Sequence, residues 1–161
     1  MTNTFQYLDF DDLSSDEIKL IIKTKDEPDE AAGILPRYGF AIIRIADNAE
    51  VGIVYFAADT TRRQYLRGHL SYGIAQEYRG NGYAAKACRL IVPVALAHGF
   101  DRIFIGSHCN NIASAKTIQK LGANPLTKCV VPDFMYDEIL AQLKKDEIDM
   151  YYWDIQDEVG D

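Results

Sequence analysis

The stretch Gln76-Glu77-Tyr78-Arg79-Gly80-Asn81-Gly82-Tyr83-Ala84 lies between a strand-like run, Gly68 to Ala75, and a helix-like run, Tyr83 to His98, closed by Gly99. The first turn of a helix leaves its N–H groups without partners and carries about half a positive charge, so a glycine loop at that point admits an anion. Gly80 and Gly82 remove side chains from the approach, Ala84 keeps the first turn slim, and Arg79 adds a fixed cation suited to a diphosphate. Two glycines can also serve only to turn the chain. A cation abutting them, with a strand before and a long helix after, is what anion binding requires and a plain turn does not.

Outward from the loop, Tyr38 to Ile45 and Val51 to Ala58 read as two antiparallel strands joined by a turn at Asp47-Asn48. Gly68 to Ala75 supplies a third strand. Upstream, Thr4 to Phe10 alternates weakly and is expected to open the sheet. Ser14 and Glu17 have capping-box spacing for a helix carrying Ile18, Ile21 and Ile22 and ending before Pro28. Pro93 is expected to kink or split the helix after the glycine loop. Downstream, Arg102 to Ser107 reads as a strand. Asn111 then caps a helix to Leu121, with Gly122 as the left-handed stop. Leu126 to Val131 is a further strand, Asp133 to Lys145 a helix and Ile148 to Ile155 a last aromatic strand. The pattern is α/β, a mixed sheet with helices packed on it, and with no repeat or linker 1–161 reads as one domain.

At 161 residues the chain can bury a core without staples. Its longest apolar run, Leu90 to Ala97, falls short of the ~18 residues of a membrane span. The acidic start lacks the basic character of a targeting segment, so the expected compartment is cytoplasmic. A net charge of −7 disfavours nucleic acid and anionic lipid as partners and favours cationic ones. Three cysteines and three histidines fall into no metal-ligand spacing, so no metal is expected. A dinucleotide fingerprint fits poorly, because Gln76 to Arg79 separate the strand from the first glycine and Asp101 begins its strand where that fold's acid ends one. A Walker loop is excluded by the missing G-K-[ST].

The run Arg79-Gly80-Asn81-Gly82-Tyr83-Ala84 resembles the [QR]-x-x-G-x-[GA] pyrophosphate motif of the GNAT-type N-acetyltransferases, in the same strand-loop-helix setting. Asn111-Ile112-Ala113-Ser114 and Lys120-Leu121-Gly122-Ala123 resemble that family's second motif segment. The resemblance is carried by Gly68 to Ala123 and is closest to the branch that acetylates ribosomal-protein amino groups. It implies a mostly antiparallel sheet splayed between the fourth and fifth strands, with acetyl-CoA as cosubstrate and its pantetheine arm in the gap. It also implies direct transfer of acetyl to a primary amine of a small molecule, peptide or protein.

By the same resemblance, main-chain groups of Ile74 and Gln76 would hold the arm and the thioester, and residues 79–84 the diphosphate. Asn111 would bond the arm, a role compatible with capping its helix. Ser114 would face the departing thiol or be an ordinary first-turn serine. The resemblance breaks where many members carry a tyrosine that protonates the thiolate, because Ile118 stands there. Its loss is chemically tolerable, since a thiolate with a parent pKa of about 8.5 leaves without much help. A base must free the amine. His108 is the candidate by position and chemistry, alongside a purely structural reading of it, with His69, Ser71 and Glu77 also near. Glu77 is otherwise a solvated partner for Arg79. Cys88 and Cys109 lack a histidine-acid arrangement, so no acyl-enzyme is expected. A coenzyme A-binding sensor or regulatory module without activity is the alternative, and the resemblance leaves room for a homodimer.

Overall fold

A computed structural model of the protein describes residues 5–26, 36–58, 68–108, 111–130 and 147–156, the side chains of 108, 127–130, 147 and 148 excepted. The elements are β1 (Ile18–Asp26), β2 (Arg37–Arg44), β3 (Ala49–Ala57), β4 (Leu70–Ile74), α1 (Tyr83–Ala97), β5 (Arg102–His108), α2 (Ile112–Leu121), β6 (Asn124–Val130) and β7 (Glu147–Asp154). One sheet has the order β1-β2-β3-β4 and the other β5-β7-β6. Every ladder in them is antiparallel. Tyr38, Phe56, Ile91, Ile103, Ile105, Ile118 and Trp153, all but sealed from solvent, put the core between the sheets and the two helices.

The hairpin and the later strands and helices follow the sequence closely, and α1 runs through Pro93 as one helix. The capping-box segment does not. Ile18–Asp26 is an edge strand paired along its length with β2, not a helix. Ser14, the expected cap, donates its hydroxyl to Asp12 instead, and Ser15 makes a tight turn: its N–H donates to the Ile18 carbonyl at 2.8 Å, and its hydroxyl accepts from Ile18 N–H at 3.2 Å. Glu17 pairs with Lys86 of α1 rather than with the backbone of its own turn. Four β-branched residues between Ile18 and Thr24 suit a pleated strand, and the partner strand β2 decides the matter. Residues 5–10 likewise form no strand. Their aromatic rings gather around Tyr38 and His98, with Phe5 stacked on the His98 ring at 5.1 Å and Tyr7 edge-on to Tyr38 at 4.9 Å. The expected helix from Asp133 to Lys145 lies outside the described residues.

The two sheets meet at one bridge, Gly68 to Ile105. There the His69 N–H donates to the Phe104 carbonyl at 2.6 Å, and the Phe104 N–H donates to His69 Nδ1 at 3.0 Å. A side-chain nitrogen thus stands in for a backbone acceptor, and Nδ1 must be unprotonated to do so. A Cβ on Gly68 would lie 2.6 Å from Gly106 N and 2.9 Å from Ile105 Cα, at a φ of +80°. Only glycine permits this approach. Beyond the bridge β4 and β5 share no ladder, and the gap between them opens.

Two predictions follow from these contacts. Gly68→Ala, forced into a left-handed conformation against backbone, should lower unfolding free energy by about 2 kcal/mol or more in urea titration; an unchanged midpoint would show that the bridge tolerates separation. The second concerns His98, whose Nε2 bonds the Tyr38 hydroxyl, while that hydroxyl also accepts from Leu8 N–H at 2.8 Å. Burial holds His98 below its ordinary value. Between that lowered value and the unfolded one near ~6.5, the unfolded chain binds a proton that the fold resists. The stability is therefore complete above ~6.5 and lost as pH falls. His98→Asn should flatten the drop in melting temperature between about pH 7 and pH 5.5, and equal slopes would disprove the assignment.

Candidate active site

In an antiparallel ladder, successive residues alternately bond the neighbour and face away from it. Ala57 N–H donates to the His69 carbonyl and Ala75 N–H to the Val51 carbonyl, each at 2.9 Å. With Tyr55 opposite Ser71 and Ile53 opposite Gly73, the odd-numbered residues of β4 bond β3. The main-chain groups of Leu70, Tyr72 and Ile74 therefore face the gap. The Ile74 carbonyl is taken by Arg79, whose Nε donates to it at 3.0 Å. This bond fixes the arginine beside the glycine loop and leaves its other guanidinium donors outward.

A cleft of about 510 Å³ runs from this loop along β4 to the first turns of α2. It gathers Ile74, Arg79, Gly80, Asn81, Gly82, Tyr83, Ala84, Asn111 and Ser114, so one wall after another comes from the residues singled out in the sequence. Gln76 does not line it: it opens a short 3-10 turn, and its carbonyl accepts from Arg79 N–H at 3.3 Å. His108 ends β5 opposite Ile148, with its side chain outside the described residues. His69 is buried at the bridge and holds Phe104, so it is structural. Glu77 is exposed in the 3-10 turn, while Arg79 bonds a carbonyl instead of it. Cys88 is sealed in α1, and burial pushes its thiol up to about 12, far from a nucleophile's range.

The loop's conformation follows from its glycines. Gly80 and Gly82 have φ of +87° and +75°, and Gly82 caps α1 with no side chain to bond its first turn. Lys86 N–H is the first to find an intrahelical acceptor, the Gly82 carbonyl at 3.2 Å. Among the described residues, no group accepts from the amides of 80–85. Arg44 braces the loop from the hairpin. Its guanidinium lies 5.0 Å from the Tyr78 ring centre and pairs with Asp47 at 2.6 Å. That pairing holds the Asp47 carboxyl at about 2. On the other side Asn111 caps α2 by accepting from Ser114 N–H at 3.0 Å. Arg89 ties α2 to α1 through a 2.6 Å bond to the Lys120 carbonyl.

Sequence reading missed Tyr72, Lys116 and Thr117 as cleft residues and gave Lys120 no charge role. Lys116 and Lys120 are one helical turn apart, a spacing that could have flagged them, but their direction depends on how α2 docks. A Cβ on Gly82 would lie 3.7 Å from Lys120 Nζ. This ammonium hangs over the positive end of α1 beside Arg79, a like-signed cluster that an anion relieves. Among the described residues the lining contains three cations and no carboxylate, within a chain of net charge −7. The described lining thus sets its cations beside the apolar side chains of Ile74 and Ile112.

Inorganic pyrophosphate is a direct probe of this charge arrangement. At ten times its dissociation constant it should stabilise the protein by about 1.4 kcal/mol. Lys120→Glu should remove most of that gain in a thermal-shift titration, whereas an equal shift in both proteins would place the anion elsewhere.

Residues 4–124 match the family model described as the acetyltransferase (GNAT) domain. No curated protein matches the chain. Among solved structures, the chain is similar to a ribosomal-protein-S5-alanine acetyltransferase from Vibrio fischeri, with 19% identity and a TM-score of 0.56 over 77% of this chain and 64% of that one. It is similar to the Microcin C7 self immunity acetyltransferase MccE, solved with acetyl-CoA and AMP, with 14% identity and a TM-score of 0.56 over 73% and 61%. A spermidine N-acetyltransferase SpeG chimera from Vibrio cholerae and hSSAT gives 13% identity and a TM-score of 0.57 over 77% and 71%. The chain spans less than two thirds of the first two, and at these identities the likeness is one of fold. The family model extends over most of the chain, through the glycine loop to the end of α2, and the chain belongs to the GNAT acetyltransferase domain family.

Proposed function

We propose that the protein is an N-acetyltransferase that passes the acetyl group of acetyl-CoA directly to a primary amine of a small molecule, peptide or protein. The observation that carries this reading is the row of amides at 80–85 beside Arg79, Lys116 and Lys120, where the described residues supply neither an acceptor for the amides nor a carboxylate to the cleft lining. A diphosphate matches both the donors and the charge. From there the pantetheine arm would follow the open edge of β4, where the Ile74 N–H and the Tyr72 main chain are turned to the gap, with Asn111 across from them. Ile112, 69% exposed on the cleft, gains an apolar cover in this arrangement.

The acetyl thioester then lies near Ser114. The neutral amine attacks its carbonyl, the tetrahedral intermediate collapses, and the electron pair of the C–S bond leaves with sulfur. Ser114 is the candidate hydroxyl to donate a hydrogen bond to the departing thiolate, and His108, at the end of β5, is the candidate to take the amine's proton. Cys88 takes no part. An acidic chain outside a cationic cleft favours a cationic acceptor, and the family's members in the same fold include enzymes named for spermidine and for ribosomal protein. One domain over 1–161, a cytoplasmic setting and a homodimer belong to the same proposal. Among the described residues no helix is long and apolar enough to cross a membrane.

A second reading, a coenzyme A-binding module without turnover, draws on Ile118, 1% exposed in the core where a proton-donating tyrosine is common in the family. Incubation with acetyl-CoA and a panel of amines, amino acids, polyamines and peptide N-termini separates the two. Thiol release above the no-enzyme rate supports transfer, and tight binding with no release on any acceptor supports the module. Gly82→Asp, which puts a carboxylate at the anion site, should weaken coenzyme A binding at least tenfold by calorimetry. Unchanged affinity in the folded variant would refute the loop assignment.

A further inference from the structure

The Tyr72 hydroxyl lies 3.0 Å from Ser114 Oγ, joining β4 to the first turn of α2 across the cleft. We propose that Tyr72 is a positioning residue for Ser114: its phenol donates to Ser114 Oγ and so directs the serine's own proton toward the sulfur of the bound coenzyme. This rests on the coenzyme A reading above.

Several contacts converge on that arrangement. Ser114 cannot drift, because its N–H is held by Asn111 Oδ1 at 3.0 Å. Burial pushes the phenol up to about 12, so at neutral pH it is protonated and able to donate. A serine hydroxyl has one proton and two lone pairs. With one lone pair engaged by Tyr72, the proton is free for the cleft that both residues line. A phenol thus reaches the site from β4, while Ile118, one turn further along α2, packs in the core.

The chemistry is hydrogen bonding rather than proton transfer from tyrosine. A thiol has a parent pKa of about 8.5, so moving a proton to it from a group at about 12 runs uphill. As the C–S bond breaks, its electron pair stays on sulfur and the Ser114 O–H supports the charge. The sulfur then takes a proton from solvent, balancing the one the amine gives up, and Tyr72 and Ser114 end as they began.

The test needs no knowledge of the acceptor. Coenzyme A is bound to the full chain, and its thiol is titrated by the ultraviolet absorbance of the thiolate. Of the chain's three thiols, Cys88 titrates only at about 12, and Cys109 and Cys129 are changed to serine in every protein compared, so that only the coenzyme's thiol is read. Tyr72→Phe, which keeps the ring, and Ser114→Ala should each raise the bound thiol's pKa by about one unit, equivalent to a tenfold loss of thiolate stabilisation. The double variant should match Ser114→Ala alone, since Tyr72 acts through the serine. A wild-type thiol pKa in Tyr72→Phe overturns the proposal, as does a double variant whose shift is the sum of the two. Should Tyr72→Phe misfold, a wild-type value in Ser114→Ala overturns it equally. Wild-type protein that does not bind coenzyme A at all overturns the cofactor reading itself, a different result from binding with an unshifted thiol.

Discussion

The approach of two backbones at Gly68 is the constraint on which the site depends. Gly106 N and Ile105 Cα stand where a side chain would begin, and the neighbouring His69 closes the junction with one main-chain and one ring nitrogen bond to Phe104. Because the strands are pinned at that point and share no ladder beyond it, the main-chain groups of Tyr72 and Ile74 have no strand to bond. Unpaired sheet edges are ordinarily liabilities that proteins cover or blunt. Here the edge is turned inward, between α1 and α2, where a ligand of extended form can complete it.

Electrostatics repeats the same logic. The chain is acidic overall, and its exposed ion pairs at the hairpin and strand ends, such as Lys23 with Glu50 and Arg102 with Asp154, do little beyond the surface. In the cleft, by contrast, Arg79, Lys116 and Lys120 gather near one helix N-terminus with no carboxylate among the described lining residues. An arrangement unfavourable in isolation becomes favourable when a diphosphate enters. The scaffold behind it is cross-braced: Arg44 sets Tyr78 against the hairpin, and Arg89 joins the end of α2 to α1.

Much of this was legible beforehand, and the exceptions have particular causes. The hairpin, the glycine loop, α1 and the Asn111-to-Gly122 helix carry local chemistry: a turn dipeptide, positive-φ glycines, an Asn cap. Their limits in the structure agree with that chemistry. Ile18–Asp26 departs from its helix pattern because Ser14 and Glu17, though at cap spacing, serve Asp12 and Lys86 instead of a helix start. Residues 5–10 alternate like a strand but find rings rather than a sheet edge as partners. Tyr72 gave no signal at all. In a strand of alternating residues its hydroxyl has meaning only once α2 brings Ser114 to 3.0 Å.

The amino-acid order alone therefore settled where the chain turns, caps and leaves amides bare, since those depend on residues within a few positions of one another. The positive-φ glycine loop was legible for the same reason. Tertiary structure decided which polar groups oppose each other across the gap, which lysines overhang α1, and that a phenol arrives from β4. Those facts arise from the docking of elements about 40 positions apart, whose geometry is fixed by core packing and not by any local sequence preference.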